Sequence, residues 1–353
     1  METDNPLILT GAAGWLGTAV IRAWLDGLSE VPGLADAPAS RKVRILVRPG
    51  EDSETICQFS HRIERVEGDV RDQDACRRLT EGQSGAMLIH VAGVIHPKWS
   101  SQFDSINHIG TRNLLEAASK SGIKRFVAMS SNSPCGNNPH PDHRFDESSP
   151  YHPYMGYGRS KMKMELAVRE YHQADKIKAV IVRAPWFYGP YQPPRQTLFF
   201  RMIRDGKAPI VGGGKGFRSM AYIENLAQGL LLAATHPSAD GQIYWIADER
   251  PYTMNEIVDT IERLLKDEFG ETVKGKRLRL PGLASEVAGV IDATLQSVGL
   301  YHQKFHVLSE MNKTIACTID KAKTELNYQP SIALEEGMRR SLKWVYANYG
   351  GLG

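Results

Sequence analysis

The chain is poor in cysteine and has no paired-cysteine motif. Its 353 residues include four cysteines, Cys57, Cys76, Cys135 and Cys317. No two of them form a C-x-x-C pair, which argues against a zinc ribbon and against a thiol redox motif. Because so few thiols in a chain of this length are typical of reduced cysteines, we expect a cytoplasmic protein.

Long apolar runs and a strong charge imbalance are also lacking. No uninterrupted stretch of apolar residues is long enough for a transmembrane helix, so we expect no membrane span. The opening segment METDNPLILTG has neither the basic start nor the apolar centre of a signal peptide. The 43 basic and 40 acidic residues give a net charge of +3, which makes nucleic acid an improbable partner. We therefore expect a small-molecule substrate.

A histidine-rich loop at 138–152 does not change this expectation. Its spacing matches no metal-ligand pattern, and a solvated loop is the simpler interpretation. We therefore predict no metal site.

Short apolar segments alternate with helical patterns through the first half of the chain. The predicted strands are 7–10, 43–47, 86–91, 126–129 and 179–182, and the predicted helices are 14–25, 72–80, 104–121 and 157–172. This alternation predicts an α/β fold, a Rossmann-type doubly wound parallel sheet. We expect a dinucleotide-binding domain at 1–183, with 217–248 returning to it. A smaller, mostly C-terminal substrate lobe would comprise 184–216 and 249–353.

A further amphipathic helix is predicted at 283–298. Its apolar side comprises Leu283, Val287, Val290, Ile291 and Val298. Such a side is more typical of a packed lid or core helix than of a membrane anchor. The preceding basic run, which we expect to be a solvated segment, comprises Lys274, Lys276, Arg277 and Arg279.

A glycine-rich turn follows the first predicted strand. Gly11, Gly14 and Gly17 are spaced G-x-x-G-x-x-G, with Trp15 and Leu16 between the last two. Glycine lets the backbone approach a pyrophosphate closely, and a helix N-terminus favours the anion. We predict that these five residues bind the cofactor, the alternative being a turn without a ligand.

The second strand bears on the choice of dinucleotide. An NAD site needs an acid at this strand end, where the chain has Val47 followed by Arg48. Because a guanidinium suits a 2′-phosphate, we predict NADP, with NAD and a merely solvated Arg48 as alternatives. Asp69 and Val70 follow another short strand. We assign both to the cofactor site, although Asp69 could instead be a helix N-cap near Arg71.

Three residues could carry proton transfer. Tyr157 and Lys161 are four apart and share a helix face. A free tyrosine titrates near pH 10, but a neighbouring ammonium and an oxidised nicotinamide would both favour the phenolate. Ser131 ends a strand, where it could hold a substrate oxygen or merely cap the strand.

Taken together, these motifs resemble the extended short-chain dehydrogenase/reductases, the NAD-dependent epimerase/dehydratase family. The resemblance spans nearly the whole chain. The matching segments are GAAGWLG, GDV at 68–70, HVAG at 90–93, NHIGTRNLLEAA at 107–118, SS at 130–131, YGRSK and RAPWFYGP. The nucleotide-sugar epimerase branch and the 3β-hydroxysteroid dehydrogenase-like branch are both similar.

The resemblance implies a role for each matching residue. Tyr157 would be the acid/base, Lys161 would bind the nicotinamide ribose and lower the tyrosine pKa, Ser131 would polarise the substrate, and Asn107 would brace the site. Further cofactor contacts are implied at Ala92, Gly93 and Pro185. Substrate contacts are assigned to Asn132, Ser133 and Arg218. Arg218 would hold a diphosphate, the alternative being a surface arginine without a ligand.

Two departures from the family narrow the reaction. A 4,6-dehydratase of the family carries Asp-Glu directly after its serine or threonine, where this chain has Asn132-Ser133. Without that acid pair, elimination of water lacks its acid and base. The epimerase-reductases place a cysteine right after the serine pair, whereas Cys135 lies further on and is expected to serve packing.

Three functions remain. The first is an NAD(P)-dependent oxidoreductase that transfers a hydride between nicotinamide and a secondary alcohol or ketone. The second is a nucleotide-sugar 4-epimerase with tightly bound NAD. The third is a non-catalytic dinucleotide sensor, against which the complete Ser, Tyr and Lys set argues, because a sensor needs no acid/base. A homodimer is left open.

Overall fold

The structure, a computed structural model, describes residues 6–31 and 34–353. Residues 1–5, on which the expectation of no signal peptide partly rests, lie outside the described residues. The strands are β1 (Leu7–Thr10), β2 (Val43–Val47), β3 (Ile63–Glu67), β4 (Met87–His90), β5 (Arg125–Met129), β6 (Ala179–Arg183), β7 (Trp186–Tyr188), β8 (Pro209–Val211), β9 (Phe217–Arg218), β10 (Met220–Tyr222), β11 (Ile243–Trp245), β12 (Tyr252–Thr253) and β13 (Leu278–Leu280).

The helices alternate with these strands. They are α1 (Trp15–Leu25), α2 (Glu54–Gln58), α3 (Gln73–Thr80), α4 (Gly110–Lys120), α5 (Met155–Gln173), α6 (Pro194–Arg204), α7 (Ile223–Thr235), α8 (Met254–Asp267), α9 (Leu283–Ser297), α10 (Gln303–Glu310), α11 (Asp320–Leu326) and α12 (Leu334–Tyr349). A π-helix at Phe103–Ile109 runs directly into α4.

The central element is a seven-stranded sheet in the order β11-β6-β5-β4-β1-β2-β3. Every neighbouring pair in it is parallel. Helices α1 and α7 pack together, and so do α3, α4 and α5. Strands β1, β4, β5 and β6 are buried along their whole length, as expected for a sheet covered on both faces. The predicted α/β Rossmann-type fold is confirmed.

The C-terminal part is built from short strand pairs and helices. Strands β7 and β10 pair, as do β9 with β12 and β8 with β13. Helices α9 and α10 pack closely on each other, and α12 packs on α8. Strand β11 lies within 217–248 and pairs with β6 of the central sheet. The division into two domains at 183 stays a prediction.

Helix α9 differs from its prediction. Leu283, Val287, Val290 and Val298 on its apolar side are between 51% and 69% exposed. The buried residues of the helix are instead Ser285, Ala288 and Asp292. The expectation that the apolar side packs against the protein is therefore wrong, because α9 lies on α10 through its other side. No helix in the described ranges is both long and apolar enough to cross a membrane.

Candidate active site

The glycine-rich turn at the end of β1 is tight and close to a second loop. Gly11 has a φ of 74°, and a β-carbon there would lie 2.7 Å from the backbone nitrogen of Ala92. A β-carbon on Gly17 would lie 2.1 Å from the Gly11 carbonyl oxygen, so α1 passes directly over the turn. Gly14 is the extended N-cap residue of α1. This geometry lets backbone groups approach a pyrophosphate, although the binding role stays a prediction.

The residues between these glycines contact protein through their side chains. The Trp15 indole donates to the Pro190 carbonyl over 2.7 Å, and its ring lies 5.0 Å from that of Phe187. Leu16 is buried in the core. Leu16 could therefore contact a dinucleotide only through its backbone, whereas the Trp15 side chain is half-buried.

At the end of β2, the two residues predicted to choose the dinucleotide both have partners. Arg48 Nη2 lies 2.8 Å from Glu51 Oε1, and this contact raises the pKa of the guanidinium. Asp69 accepts from the Arg71 side chain at 2.8 Å and from its backbone N–H at 2.9 Å. The N-cap of α3 is Asp72, so the capping alternative for Asp69 is wrong. Val70 is buried.

Tyr157 and Ser131 meet where α5 begins beside the end of β5. The Ser131 side chain lies near the Tyr157 phenol and opposes the effect of burial on its pKa. Burial prevails and raises the pKa of Tyr157 to about 12. Burial likewise lowers the pKa of Lys161 to about 8, and its ammonium donates to the Met129 carbonyl over 2.8 Å. The structure thus brings the three predicted catalytic residues to one strand end.

The turn after β5 lies against the catalytic helix. Ser131 Oγ is 3.3 Å from both Asn132 Oδ1 and Ser133 Oγ. The Ser133 carbonyl accepts from the Tyr154 N–H, and a β-carbon on Gly158 would lie 2.5 Å from that carbonyl oxygen. Only glycine at 158 permits this approach. All three predicted substrate residues of the turn, 131 to 133, are buried.

Asn107 joins the π-helix to two other parts of the site. Its Nδ2 donates to the Val94 carbonyl and to Ser160 Oγ, both over 3.0 Å, and its Oδ1 accepts from the Val94 N–H. A β-carbon on Gly93 would lie 3.1 Å from Asn107 Oδ1 and 3.4 Å from Lys161 Nζ. The 92–94 loop is thereby held beside Lys161. Interruptions of this kind in a helix are frequent at functional sites.

A buried histidine extends this network and was missed in the sequence. His90 Nδ1 is 2.7 Å from Thr10 Oγ1, and its Nε2 is 2.8 Å from Thr111 Oγ1. Thr111 Oγ1 in turn donates to the Asn107 carbonyl. Burial lowers the pKa of His90 to about 3, so the imidazole is neutral at physiological pH. The available signal was the HVAG motif, which places this histidine at a strand end.

Arg218 is a buried cation with unused donors. It is 2% exposed, its Nη2 donates to the Glu310 carbonyl, and its guanidinium lies 4.7 Å from the ring centre of Trp186. Its Nε and Nη1 find no partner among the described residues. The Glu310 carboxylate acts electrostatically on both Tyr157 and Arg218. The surface-arginine alternative is wrong, and buried unpaired donors suit an anionic ligand.

Two aromatic rings from distant parts of the chain form a row with the Tyr157 ring. Phe103 lies 5.9 Å from the Tyr157 ring and 5.4 Å from the Tyr301 ring. The Tyr301 hydroxyl is 2.7 Å from His96 Nδ1. Pattern reasoning missed Tyr301, because the loop between α9 and α10 carries no motif that connects it to a site 144 residues earlier.

The remaining predicted residues lie close to this turn. Pro185 is buried just beyond β6, where the carbonyl of Ala184 accepts from the Asn132 N–H at 3.2 Å. Cys135 is buried, and burial raises the pKa of its thiol to about 11, so it stays protonated. A protonated buried thiol fits the packing role predicted for it.

The comparisons with known proteins identify the family. The model described as "NAD dependent epimerase/dehydratase family" matches residues 7–247. The chain belongs to this family. It is therefore an NAD-dependent enzyme of the short-chain dehydrogenase/reductase type, which confirms the resemblance found in its motifs.

Individual relatives agree with this assignment. The chain is 54% identical over 347 residues to the uncharacterized protein y4nL of Sinorhizobium fredii, covering 98% of this chain and 96% of the relative. It is 26% identical to an N-acetyl-alpha-D-glucosaminyl-diphospho-ditrans,octacis-undecaprenol 4-epimerase of Escherichia coli O157:H7, covering 80% and 83%.

A solved structure shares the fold. The dTDP-glucose 4,6-dehydratase DesIV of Streptomyces venezuelae, solved with NAD and TYD bound, superposes with a TM-score of 0.74 at 24% identity, covering 98% of both chains.

Proposed function

We propose that this enzyme is an NAD(P)-dependent oxidoreductase that interconverts a secondary alcohol and a ketone. The observation that supports this most is that the buried side chains of Tyr157 and Ser131 lie next to each other at the end of β5, close enough for Ser131 to oppose the effect of burial on the tyrosine pKa. Ligands of doubly wound sheets bind at the carboxyl ends of the strands. Both hydroxyls can reach one substrate oxygen there.

The chain's own residues supply binding and proton transfer. A bound nicotinamide supplies the hydride acceptor or donor. Residues that fit it are the close-packed Gly11 turn and Gly93, whose missing side chain leaves room beside Lys161. Ser131 would hold the substrate oxygen, and Tyr157 would take up or return the hydroxyl proton. The Lys161 ammonium, now on the Met129 carbonyl, would favour the phenolate when it turns toward the site.

A nucleotide-sugar 4-epimerase is the second candidate, and Arg218 favours it. The two unpartnered nitrogens of this buried guanidinium could donate a bidentate pair of hydrogen bonds to a diphosphate, the group that a nucleotide sugar carries. The Escherichia coli relative acts, by its name, on a diphospho-linked sugar. An epimerase would use the same Ser131, Tyr157 and Lys161 but return the hydride to the other face of the sugar. A 4,6-dehydratase is not proposed, because Asn132 and Ser133 replace its acid pair.

The experiment that separates these functions follows cofactor consumption. Purified enzyme with candidate secondary alcohols and nucleotide sugars is monitored by nicotinamide absorbance and by product analysis, with Tyr157→Phe as the control. A net change in nicotinamide absorbance with wild type, but not with Tyr157→Phe, supports the oxidoreductase. An interconverted sugar without absorbance change identifies the epimerase. Equal turnover by wild type and Tyr157→Phe would refute both.

Three further properties belong to the same proposal. We propose NADP as the cofactor, from Arg48 at the end of β2. The four cysteines are all unpaired, which suits a cytoplasmic location. A homodimer is the expected assembly, since members of this family often dimerise through a helix pair.

A further inference from the structure

One face of α9 carries a row of exposed aliphatic side chains. Leu283, Val287, Val290 and Val298 are 69%, 51%, 68% and 68% exposed. Their spacing of four, three and eight residues places them on one stripe of the helix. We call this stripe, with Trp99 and Leu300 beside its C-terminal end, the α9 surface.

The inner side of the same helix is more polar than its outer side. Asp292 is fully buried and lies 2.8 Å from His306 Nδ1, and Ser285 donates to the Leu308 carbonyl. Gln296 donates to Asp292 and accepts from the Gly156 N–H. A water-facing helix of a globular protein has the opposite arrangement, with apolar residues inside. The outer stripe is thus built for an apolar environment.

Aromatic and basic side chains flank the stripe at both ends. Trp99 is 48% exposed and bridges to Leu300 just after α9, and the Lys98 ammonium lies 5.6 Å from its ring. Before α9, Lys276 and Arg279 are exposed around β13, and their side chains have neither a hydrogen bond nor an ion pair among the described residues. Arg277, by contrast, is paired with Asp259 and Glu262.

We propose that the α9 surface docks on a lipid bilayer that carries anionic headgroups. A helix with an apolar stripe, an interfacial tryptophan and basic flanks is the pattern of a helix that lies in the membrane interface. The exposed cations at both ends complement anionic lipids, which attract basic segments near a membrane. The stripe would enter the boundary between headgroups and acyl chains, without spanning the membrane.

A second copy of the chain fits this surface less well. A two-fold dimer through this patch would lay α9 of one copy along α9 of the other, either parallel or antiparallel, because such an interface uses the same patch on both subunits. In either arrangement a cationic end of one copy, formed by Lys276 with Arg279 or by Lys98, would approach a cationic end of the other. Like charges facing each other oppose association, whereas an anionic lipid surface neutralises both ends.

Docking would bring the membrane close to the catalytic helix. The Gln296 side chain accepts from the Gly156 backbone, one residue before Tyr157, over 2.9 Å. A helix is about 10 Å across with its side chains, so Tyr157 would lie about one helix diameter from the lipid interface. This proposal does not depend on the redox or epimerase assignment.

Vesicle sedimentation tests the proposal with the full chain. Wild type is mixed with vesicles of phosphatidylcholine alone or with phosphatidylglycerol added, at low and high salt. We expect sedimentation with the phosphatidylglycerol vesicles that weakens at high salt. Val287→Ser/Val290→Ser should lower the partition coefficient at least about tenfold, because each exposed valine loses its burial in lipid. Lys276→Gln/Arg279→Gln should lower binding to phosphatidylglycerol vesicles only.

Tyr349→Ser is the matched control, because Tyr349 is 63% exposed on α12, which packs on α8. It should sediment like wild type, and circular dichroism of each variant checks folding. Wild type that stays in the supernatant at every lipid composition overturns the proposal, as does a valine variant that binds like wild type. A wild-type dimer that Val287→Ser/Val290→Ser converts to a monomer, without vesicle binding, would assign the α9 surface to a second copy.

Discussion

The amide nitrogen of Asn107 lies 3.0 Å from the hydroxyl of Ser160, and this contact joins the π-helix to the catalytic helix α5. Ser160 Oγ also donates to the Tyr157 carbonyl, so the contact reaches the backbone of the proposed acid/base. On the other side, Asn107 holds the backbone of Val94 by two hydrogen bonds. One buried amide thereby sets the distance between the 92–94 loop and the helix that carries Tyr157 and Lys161.

Tyr157→Phe should remove turnover while leaving cofactor binding nearly unchanged. The phenol oxygen is the proposed proton carrier, and loss of such a group typically lowers a rate by about 10²–10⁴-fold. The phenyl ring keeps its packing against Phe103, which lies 5.9 Å away. Steady-state rates and dinucleotide titration check both parts. A variant with wild-type turnover would remove Tyr157 from the mechanism.

Lys161→Met should weaken dinucleotide binding and lower the rate together. The ammonium is proposed to contact the ribose and to favour phenolate at Tyr157. Burial raises the pKa of Tyr157 to about 12, so without the cation its deprotonation needs a higher pH. The pH optimum of the remaining activity should therefore rise. An unchanged pH profile together with unchanged dinucleotide affinity would show that Lys161 only packs in α5.

The parallel sheet was predictable because most of its strands are short apolar runs that alternate with helical patterns, and β1 and β5 are followed directly by Gly11 and Ser130. Residues 43–47 form β2 as predicted, and the helix predicted at 157–172 is α5 at Met155–Gln173. The site residues on these strand ends could be found for the same reason. Tyr301 and Glu310 could not, because they reach the site from the irregular C-terminal part through tertiary packing alone.

Helix α9 shows where periodicity misleads. Its apolar stripe was found correctly, and the period says which residues share a face. It does not say whether that face turns toward the protein. In α9 the face opposite the apolar stripe packs against the protein, because its Asp292 is buried against His306 of α10. The π-helix at Phe103–Ile109 was likewise hidden inside the single helix predicted at 104–121.

His90→Gln should make folding stability less sensitive to acid. Burial lowers the pKa of His90 from 6.5 to about 3, so the unfolded chain binds a proton below pH 6.5 that the folded chain does not. The stability that neutral His90 contributes is therefore fully present above pH 6.5 and is lost as the pH falls toward 3. Between pH 7 and pH 5 this loss is about 2 kcal/mol.

Urea unfolding at pH 7 and pH 5 measures this loss. The drop in the free energy of unfolding should be about 2 kcal/mol smaller in His90→Gln than in wild type. The control is His61→Gln, at an exposed histidine. Equal drops in His90→Gln and wild type would contradict the prediction.

Arg218→Lys should raise the KM for a substrate that carries a diphosphate and leave kcat nearly unchanged. Lysine keeps the positive charge but lacks the planar set of N–H donors that arginine offers to a diphosphate. The affinity for the diphosphate should therefore fall about tenfold. Arg218 is buried, at 2% exposed, so the lost donors would face the diphosphate and not bulk water. Arg250→Lys, at an exposed arginine paired with Glu256, serves as the control. A KM equal to that of wild type would mean that no diphosphate binds at Arg218.

The preference for NADP over NAD should depend on whether the 2′-phosphate of NADP displaces Glu51 as the partner of Arg48. Val47 offers no carboxylate to ribose hydroxyls, and the Arg48 guanidinium now lies 2.8 Å from Glu51 Oε1. Binding NADP exchanges this carboxylate for the phosphate, so wild type should prefer NADP. Hydrogen bonds to a charged partner contribute about 1.5–3 kcal/mol, which at 1.4 kcal/mol per decade is about 10- to 100-fold in affinity.

Arg48→Ala should therefore lose about 10- to 100-fold in NADP affinity and little in NAD affinity. Glu51→Gln should bind NADP more tightly than wild type, since it frees the guanidinium and removes a repelling charge. Asp52→Asn changes the charge equally, but Asp52 is paired with Arg65 rather than with Arg48, and it serves as the control. Titration of both dinucleotides into these variants gives the result. Arg48 is the only cation that directly follows Val47, so the preference for NADP is assigned to it alone. Tighter binding of NAD than of NADP by wild type would refute this assignment, as would unchanged NADP affinity in Arg48→Ala.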